Sequence, residues 1–176
     1  MIIESSAASK ENKNSVGMKT PIDPLTLSTT WHSLQRICRE MRHVIERTAQ
    51  SFLISQLKDI SVGIWDGEGN TIAIPVGLPI QFVGAKYSVR YILEEYKGNV
   101  YEGDVFLAND PYHGFSCHAP DWGFFRPIFY QGKPVFWTLA RAHVEDTGAA
   151  YPGAYFSDPY DVHSEGLLIP GVKVVE

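Results

Sequence analysis

Beyond Asp23, apolar or half-apolar residues return at Leu27, Trp31, Leu34, Cys38, Met41, Ile45, Thr48 and Phe52, in steps of 4, 3, 4, 3, 4, 3 and 4. That rhythm fits the 3.6-residue repeat of a helix and predicts one continuous amphipathic helix of about 25 residues. Asp23 and Pro24 mark its start: a carboxylate caps the free amide hydrogens, and proline at the first helical position gives up a donor that would be orphaned anyway. Arg36, Arg39, Glu40, Arg42, Glu46 and Arg47 keep the opposite side polar. A coiled coil is disfavoured because the chain has only one such segment.

The remaining elements follow from shorter signals. Two β-prone runs, residues 60–65 and 71–74, flank the sequence DGEGN and predict a hairpin. Residues 84–97 predict a second helix with Val89, Ile92, Leu93 and Tyr96 turned inward and Gly98 just past its end. Strands are predicted at 104–108, 123–130 and 134–141, the last two joined by a turn at Gln131, Gly132 and Lys133. A Gly/Pro/Tyr-rich loop over 143–166 leads to a final apolar run at 167–175. Helix, hairpin, helix, then strands predict an α+β fold with a mixed or antiparallel sheet.

At 176 residues, 44% hydrophobic and 20% charged, the chain has the length and composition of one folded domain. Its net charge of -5 argues against a nucleic-acid binder, which carries a basic stripe. No apolar run reaches the ~18–20 residues that span a bilayer. Two cysteines, Cys38 and Cys117, cannot make a disulfide framework. Residues 1–21 are rich in Ser, Lys, Asn and Glu and lack the apolar stretch of a secretory signal, so a disordered leader and a cytoplasmic address are expected.

The chemistry concentrates in residues 109–121, NDPYHGFSCHAPD, which hold Asp110, His113, Cys117, His118 and Asp121 between two predicted strands. Loops held on a rigid sheet are where reactive groups gather. His118 and Asp121 flank an Ala-Pro pair, and His143 or Asp146 from the next loop would complete a mixed N/O metal site suited to Zn, Mn or Fe rather than Ca. The competing reading is plain: Asp before Pro is a common turn starter, and loop histidines are commonly solvated. Cys117 as a nucleophile beside His118 is disfavoured, since neighbours on a strand point to opposite faces. His32, His43 and His163 are read as surface residues. No phosphate-binding loop is present, so if the activity uses ATP the sequence does not show where it binds.

Taken together the motifs resemble one family. DPLTL at 23–27, RTA at 47–49, DGEGN at 66–70, GDVF at 103–106, NDPY at 109–112, HAPD at 118–121, RAH at 141–143, Asp146, PG at 152–153 and EGLLIP at 165–170 are similar, in order, to the start of hydantoinase B/oxoprolinase-type subunits. That family also includes acetone and acetophenone carboxylase large subunits, whose branch the run HVEDTGA at 143–149 resembles.

The resemblance implies an ATP-dependent enzyme acting on a small carbonyl compound or cyclic amide, with a hydantoinase A-type partner that uses the ATP. It implies catalytic roles at Asp110, His118, Asp121 and His143, with a divalent metal, Mn or Zn, on His118, Asp121 and His143. Two departures stand out. Ungapped counting puts the family's earlier carboxylate ligand at Leu57, beside Gln56, with Asp59 reachable only by a register shift. Gln81 also stands where members often have His. Three functions are therefore carried forward: cyclic-amide C–N hydrolysis, ketone carboxylation, and an inactive remnant. Family members are far longer, so residues 22–176 are expected to be the N-terminal part of a larger fold.

Overall fold

The computed structural model describes residues 21–75, 77–153 and 157–176. The expected leader lies, apart from Pro21, outside the described residues. The helix α1 spans Pro24–Thr48. Asp23 caps it, one carboxylate oxygen accepting from the amides of Leu25 and Thr26 at 3.0 Å each. The stripe does not run unbroken to Phe52 as its spacing predicts. The chain turns extended at Ala49, because Glu145 captures the next helix start: its carboxylate accepts from the Ser51 hydroxyl and the Phe52 amide, both at 3.0 Å. The short helix α2, Phe52–Ser55, then leaves Phe52 facing outward.

Six strands form one sheet: β1 Ile60–Asp66, β2 Thr71–Ala73, β3 Val105–Ala108, β4 Asp121–Tyr130, β5 Lys133–His143 and β6 Pro170–Val175. They lie in the order β2-β1-β5-β4-β3-β6, and every pairing among them is antiparallel. The strand candidates at 123–130 and 134–141 therefore extend outward to Asp121 and His143. Helices α3, Pro79–Val83, and α4, Ala85–Glu95, complete the fold. No helix among the described residues is long and apolar enough to cross a membrane.

Strand periodicity sends alternate side chains to two cores. On one face Ile60, Val62, Ile64 and Ala73 pack with Cys38 of α1. On the other, Trp65, Phe106, Phe125, Trp137 and Leu139 pack with Val89 and Ile92 of α4. The cover on the α1 side is partial. Leu27 and Trp31 at the start of the stripe are exposed, as are Phe124 and Ile128 on β4 and Val172 and Val174 on β6. On the other side, β6 is pinned by Lys173, whose ammonium meets the buried Asp104 at 3.1 Å and lies over the rings of Tyr96, Tyr101 and Phe106.

The β4–β5 hairpin sets the register that matters for function. Its turn holds Gln131 and Gly132 at φ 49° and 75°, the two successive left-handed residues that match the twist of antiparallel strands. A register shift between Ile128 and Phe129 leaves Val135 without an opposite partner, after which the ladder runs cleanly to Asp121 opposite His143. One residue of slip sends every later side chain to the other face. We therefore expect Gly132→Val, which forces a branched side chain into left-handed backbone at about 1–2 kcal/mol, to lower the thermal midpoint, and Gln131→Asn to raise it. Thermal denaturation of both variants checks the pair.

Candidate metal centre

Asp121 begins β4 and His143 ends β5, so the hairpin brings them together across the ladder. His118 comes from the turn just before β4. One oxygen of Asp121 faces both rings, at 3.2 Å from His118 Nε2 and 3.6 Å from His143 Nδ1. The imidazole centroids are 4.9 Å apart. The three ligand atoms lie within 4.8 Å of one another, the mutual spacing of groups around a single ion. Asp121 and His143 are buried, at 3% and 1% exposure, while His118 is half-buried at the mouth.

The protonation pattern shows what such a cluster wants. The second ring nitrogen of His143 lies 3.2 Å from the Gly153 carbonyl. A carbonyl only accepts, so Nε2 carries a proton and donates to it. In neutral His143, Nδ1 then turns a lone pair toward a carboxylate, two acceptors facing one another. A positive charge between them resolves that conflict, either a second proton on the ring or a metal ion. Metal-bound histidines characteristically donate their other N–H to a backbone carbonyl in this way. The proton alternative is visible in the acidities: burial works against a charged His143, but the Asp121 carboxylate outweighs it and raises the pKa. For Asp121, burial works the other way and is overcome by hydrogen bonds from His118 and His143, so its pKa falls far below the usual carboxylate range.

Around the cluster lies a cleft of about 400 Å³ that Asp59, Gln81, Cys117 and Ile80 also line. Asp59, two residues beyond the Leu57 at which counting placed the family's carboxylate, is the acidic residue of that stretch that lines the cleft. Leu57 is 60% exposed and points away. After α2 the backbone twists through Lys58 at φ 59°, and this left-handed step delivers Asp59 into the cleft. Gln81, only 1% exposed, joins the two carboxylates: its amide nitrogen donates to Asp59 at 2.9 Å and to Asp121 at 3.3 Å. Burial, then repulsion from Asp121, raises the pKa of Asp59.

Arg141 lies beneath this layer, fully buried. Its guanidinium donates to the Gln81 carbonyl at 2.9 Å and stacks over Phe125. Gly123, opposite it on β4, leaves the room: a Cβ there would meet the Arg141 Nε at 3.0 Å. The site loop is strapped from behind by buried Asn109, whose amide nitrogen donates to the carbonyls of Ala119 at 2.6 Å and Leu167 at 2.8 Å.

The structure thus gathers His118, Asp121 and His143 and leaves other candidates outside. Asp110 is not among the residues lining the cleft; its carboxylate closes its own turn, accepting from the amides of Tyr112 at 2.7 Å and His113 at 3.3 Å, with the His113 ring 3.2 Å away. Asp146 is exposed and accepts from the Gly148 amide at 2.7 Å. Cys117 and His118 do share the cleft, because this segment is a turn rather than a strand. Burial, reinforced by Asp121, nevertheless pushes the Cys117 thiol up to about 11, so it is protonated at neutral pH and donates to the Ile80 carbonyl at 3.1 Å.

Comparison with known proteins fits this geometry. A family model described as hydantoinase B/oxoprolinase matches residues 23–176. The chain is 31% identical over 153 residues to the beta chain of the caprolactamase of Pseudomonas jessenii, covering 87% of this chain and 26% of that protein. It is 32% identical over 160 residues to a protein of Pseudomonas sp. (strain NS671) named as the B-type component of a D-/L-hydantoinase, covering 88% and 27%. It is 31% identical over 157 residues to 5-oxoprolinase of Dictyostelium discoideum, covering 89% and 12%. Among solved structures, the ATP-dependent caprolactamase of Pseudomonas jessenii superposes with a TM-score of 0.80 at 30% identity, covering 89% of this chain and 27% of that one. Nucleotide-free acetone carboxylase gives 0.79 at 23% identity over 86% and 20%, a likeness of fold. The chain thus spans about a quarter or less of the length of these relatives.

Removing the charge of Asp121 tests the electrostatics. In metal-free protein, an NMR titration of His143 is expected to give a pKa above the ordinary 6.5 in the wild type and a lower one in Asp121→Asn, where only the Gly153 carbonyl and Asp59 still oppose burial. Because the folded pKa is the raised one, the stabilisation by His143 is complete below the unfolded value and disappears as pH rises through the folded value.

Proposed function

The chain belongs to the hydantoinase B/oxoprolinase family, and on that premise we propose that its cleft is the carbonyl-activating centre of an ATP-coupled enzyme that opens a cyclic amide at its C–N bond. The partner is a hydantoinase A-type protein, which spends ATP on the substrate oxygen. The observation that carries this reading is the single Asp121 oxygen facing both His118 and His143, with the far side of His143 tied to the Gly153 carbonyl. Two nitrogens and one oxygen suit Mn or Zn.

When bound by these three residues, a divalent ion supplies Lewis-acid polarisation of a carbonyl oxygen. The chain's own groups handle position and protons. Gln81 holds Asp59 and Asp121 at a fixed separation through two hydrogen bonds from one amide nitrogen. Asp59 stands outside the three-residue cluster, and its raised pKa makes it a better base than an ordinary carboxylate. It takes a proton from water as the hydroxyl adds to the carbon of the phosphorylated carbonyl and passes that proton to the ring nitrogen as the C–N bond breaks; the acyl phosphate left behind is cleaved by a second water to carboxylate and inorganic phosphate. Cys117 stays protonated and shapes the wall. Hydrolysis is favoured over ketone carboxylation because the three relatives compared above, at 31–32% identity, are lactam, hydantoin and oxoproline enzymes by name, whereas the carboxylase likeness is at 23%.

Elemental analysis of the purified chain is expected to give about one Mn or Zn per wild-type molecule and to lose most of it in Asp121→Ala and His118→Ala, by the 10–100-fold or greater drop that follows loss of a ligand or its support. Equal, substoichiometric metal in all three proteins contradicts the assignment. Reconstituted with its partner and ATP, the complex should open a hydantoin ring and leave a ketone with bicarbonate unchanged.

A further inference from the structure

A second hollow, about 300 Å³, adjoins the polar cleft. One lip is apolar and solvent-facing: Ile80, Val83 and Tyr87, spaced by three and four along α3 and the first turn of α4, are 65%, 73% and 51% exposed. The other lip is Pro111 and Phe115 from the site loop, with the Phe115 ring 5.4 Å from that of Tyr87. Ile80 and Cys117 line both hollows and form their common wall, fixed by the thiol hydrogen bond to the Ile80 carbonyl at 3.1 Å. The two spaces therefore adjoin at that wall, polar on one side and hydrocarbon on the other.

Charge sharpens the picture. No lysine or arginine lines either hollow among the described residues. The nearby guanidinium, Arg141, is fully buried under the Gln81 carbonyl. The polar side instead carries two carboxylates, Asp59 and Asp121. An anionic substituent in the second hollow would lose its solvation against Ile80, Val83, Tyr87 and Phe115 with no lysine or arginine there to pair it, while a hydrocarbon substituent would be buried by the same side chains.

We propose that this hollow is the substituent subsite of the amide-opening centre and that it selects uncharged cyclic amides carrying an alkyl or aryl flank, against analogues carrying a carboxylate. The proposal rests on the functional reading above, and it names the substrate class for that site. Burying a hydrocarbon flank against such a wall gives selectivity of about tenfold or more.

Ligand-observed NMR titrations of the full 176-residue chain with hydantoin, 5-benzylhydantoin and 5-oxoproline test it. The benzyl compound is expected to bind about tenfold or more tighter than hydantoin, with its ring protons the most strongly saturated, and 5-oxoproline weaker than both. Val83→Ser and Tyr87→Ala change exposed positions, so folding should be preserved, as unchanged thermal midpoints would verify; each should abolish the benzyl advantage and leave hydantoin binding as it was. Equal binding of hydantoin and its benzyl derivative, tighter binding of 5-oxoproline, or a benzyl advantage that survives both substitutions overturns the subsite. The last result would leave the lip as a surface covered by polypeptide. Failure of the complete complex to open hydantoin counts against the hydrolase reading separately.

Discussion

A single carboxylate oxygen held between two imidazoles organises this protein. Asp121 and His143 face each other only because the β4–β5 ladder runs in one register, and that register is fixed by a left-handed turn and a one-residue irregularity at the far end of the hairpin. The hydrogen bond from His143 to the Gly153 carbonyl then settles which nitrogen is left to face Asp121. Everything nearby serves that arrangement: Gln81 above, Arg141 below, and Asn109 behind the loop. Burial makes the cluster unfavourable without a positive charge at its centre, and a buried carboxylate is retained when its partners are fixed.

Most of the scaffold was readable from periodicity. The α1 stripe, the two hairpins, the α4 face and the C-terminal strand each carry a local signal, and α1 is capped by Asp23 as its position in the sequence implies. Where α1 stops was not readable, because Glu145, remote in sequence, draws off the Ser51–Phe52 segment. Of the site, His118, Asp121 and His143 were legible as residue types at motif spacing. Asp59 was only the nearest acidic residue to the counted position; that it lines the cleft depends on the left-handed backbone at Lys58, which residue order does not reveal. Gln81 looked like the loss of a histidine; its role as a bridge between carboxylates depends on the loop before β1, the start of β4 and α3 meeting in space.

Open apolar surfaces accompany the short span of this chain beside its relatives. The α1 start and the β4 and β6 positions Phe124, Ile128, Val172 and Val174 present hydrocarbon to solvent, and the relatives are roughly four to eight times longer than the stretch matched here. A sheet face of that kind is ordinarily covered. The polar cleft, by contrast, has His118, Asp121 and His143 already brought together within this chain, so its affinity for an ion can be measured on the chain itself.

The proposed ion-binding centre of His118, Asp121 and His143 is open to X-ray absorption on the chain loaded with one equivalent of Zn or Mn. The expected shell contains two imidazole nitrogens, at about 2.0–2.1 Å for Zn, with the outer-ring scattering halved in His143→Ala. An all-oxygen shell, or one unchanged by that substitution, would contradict it.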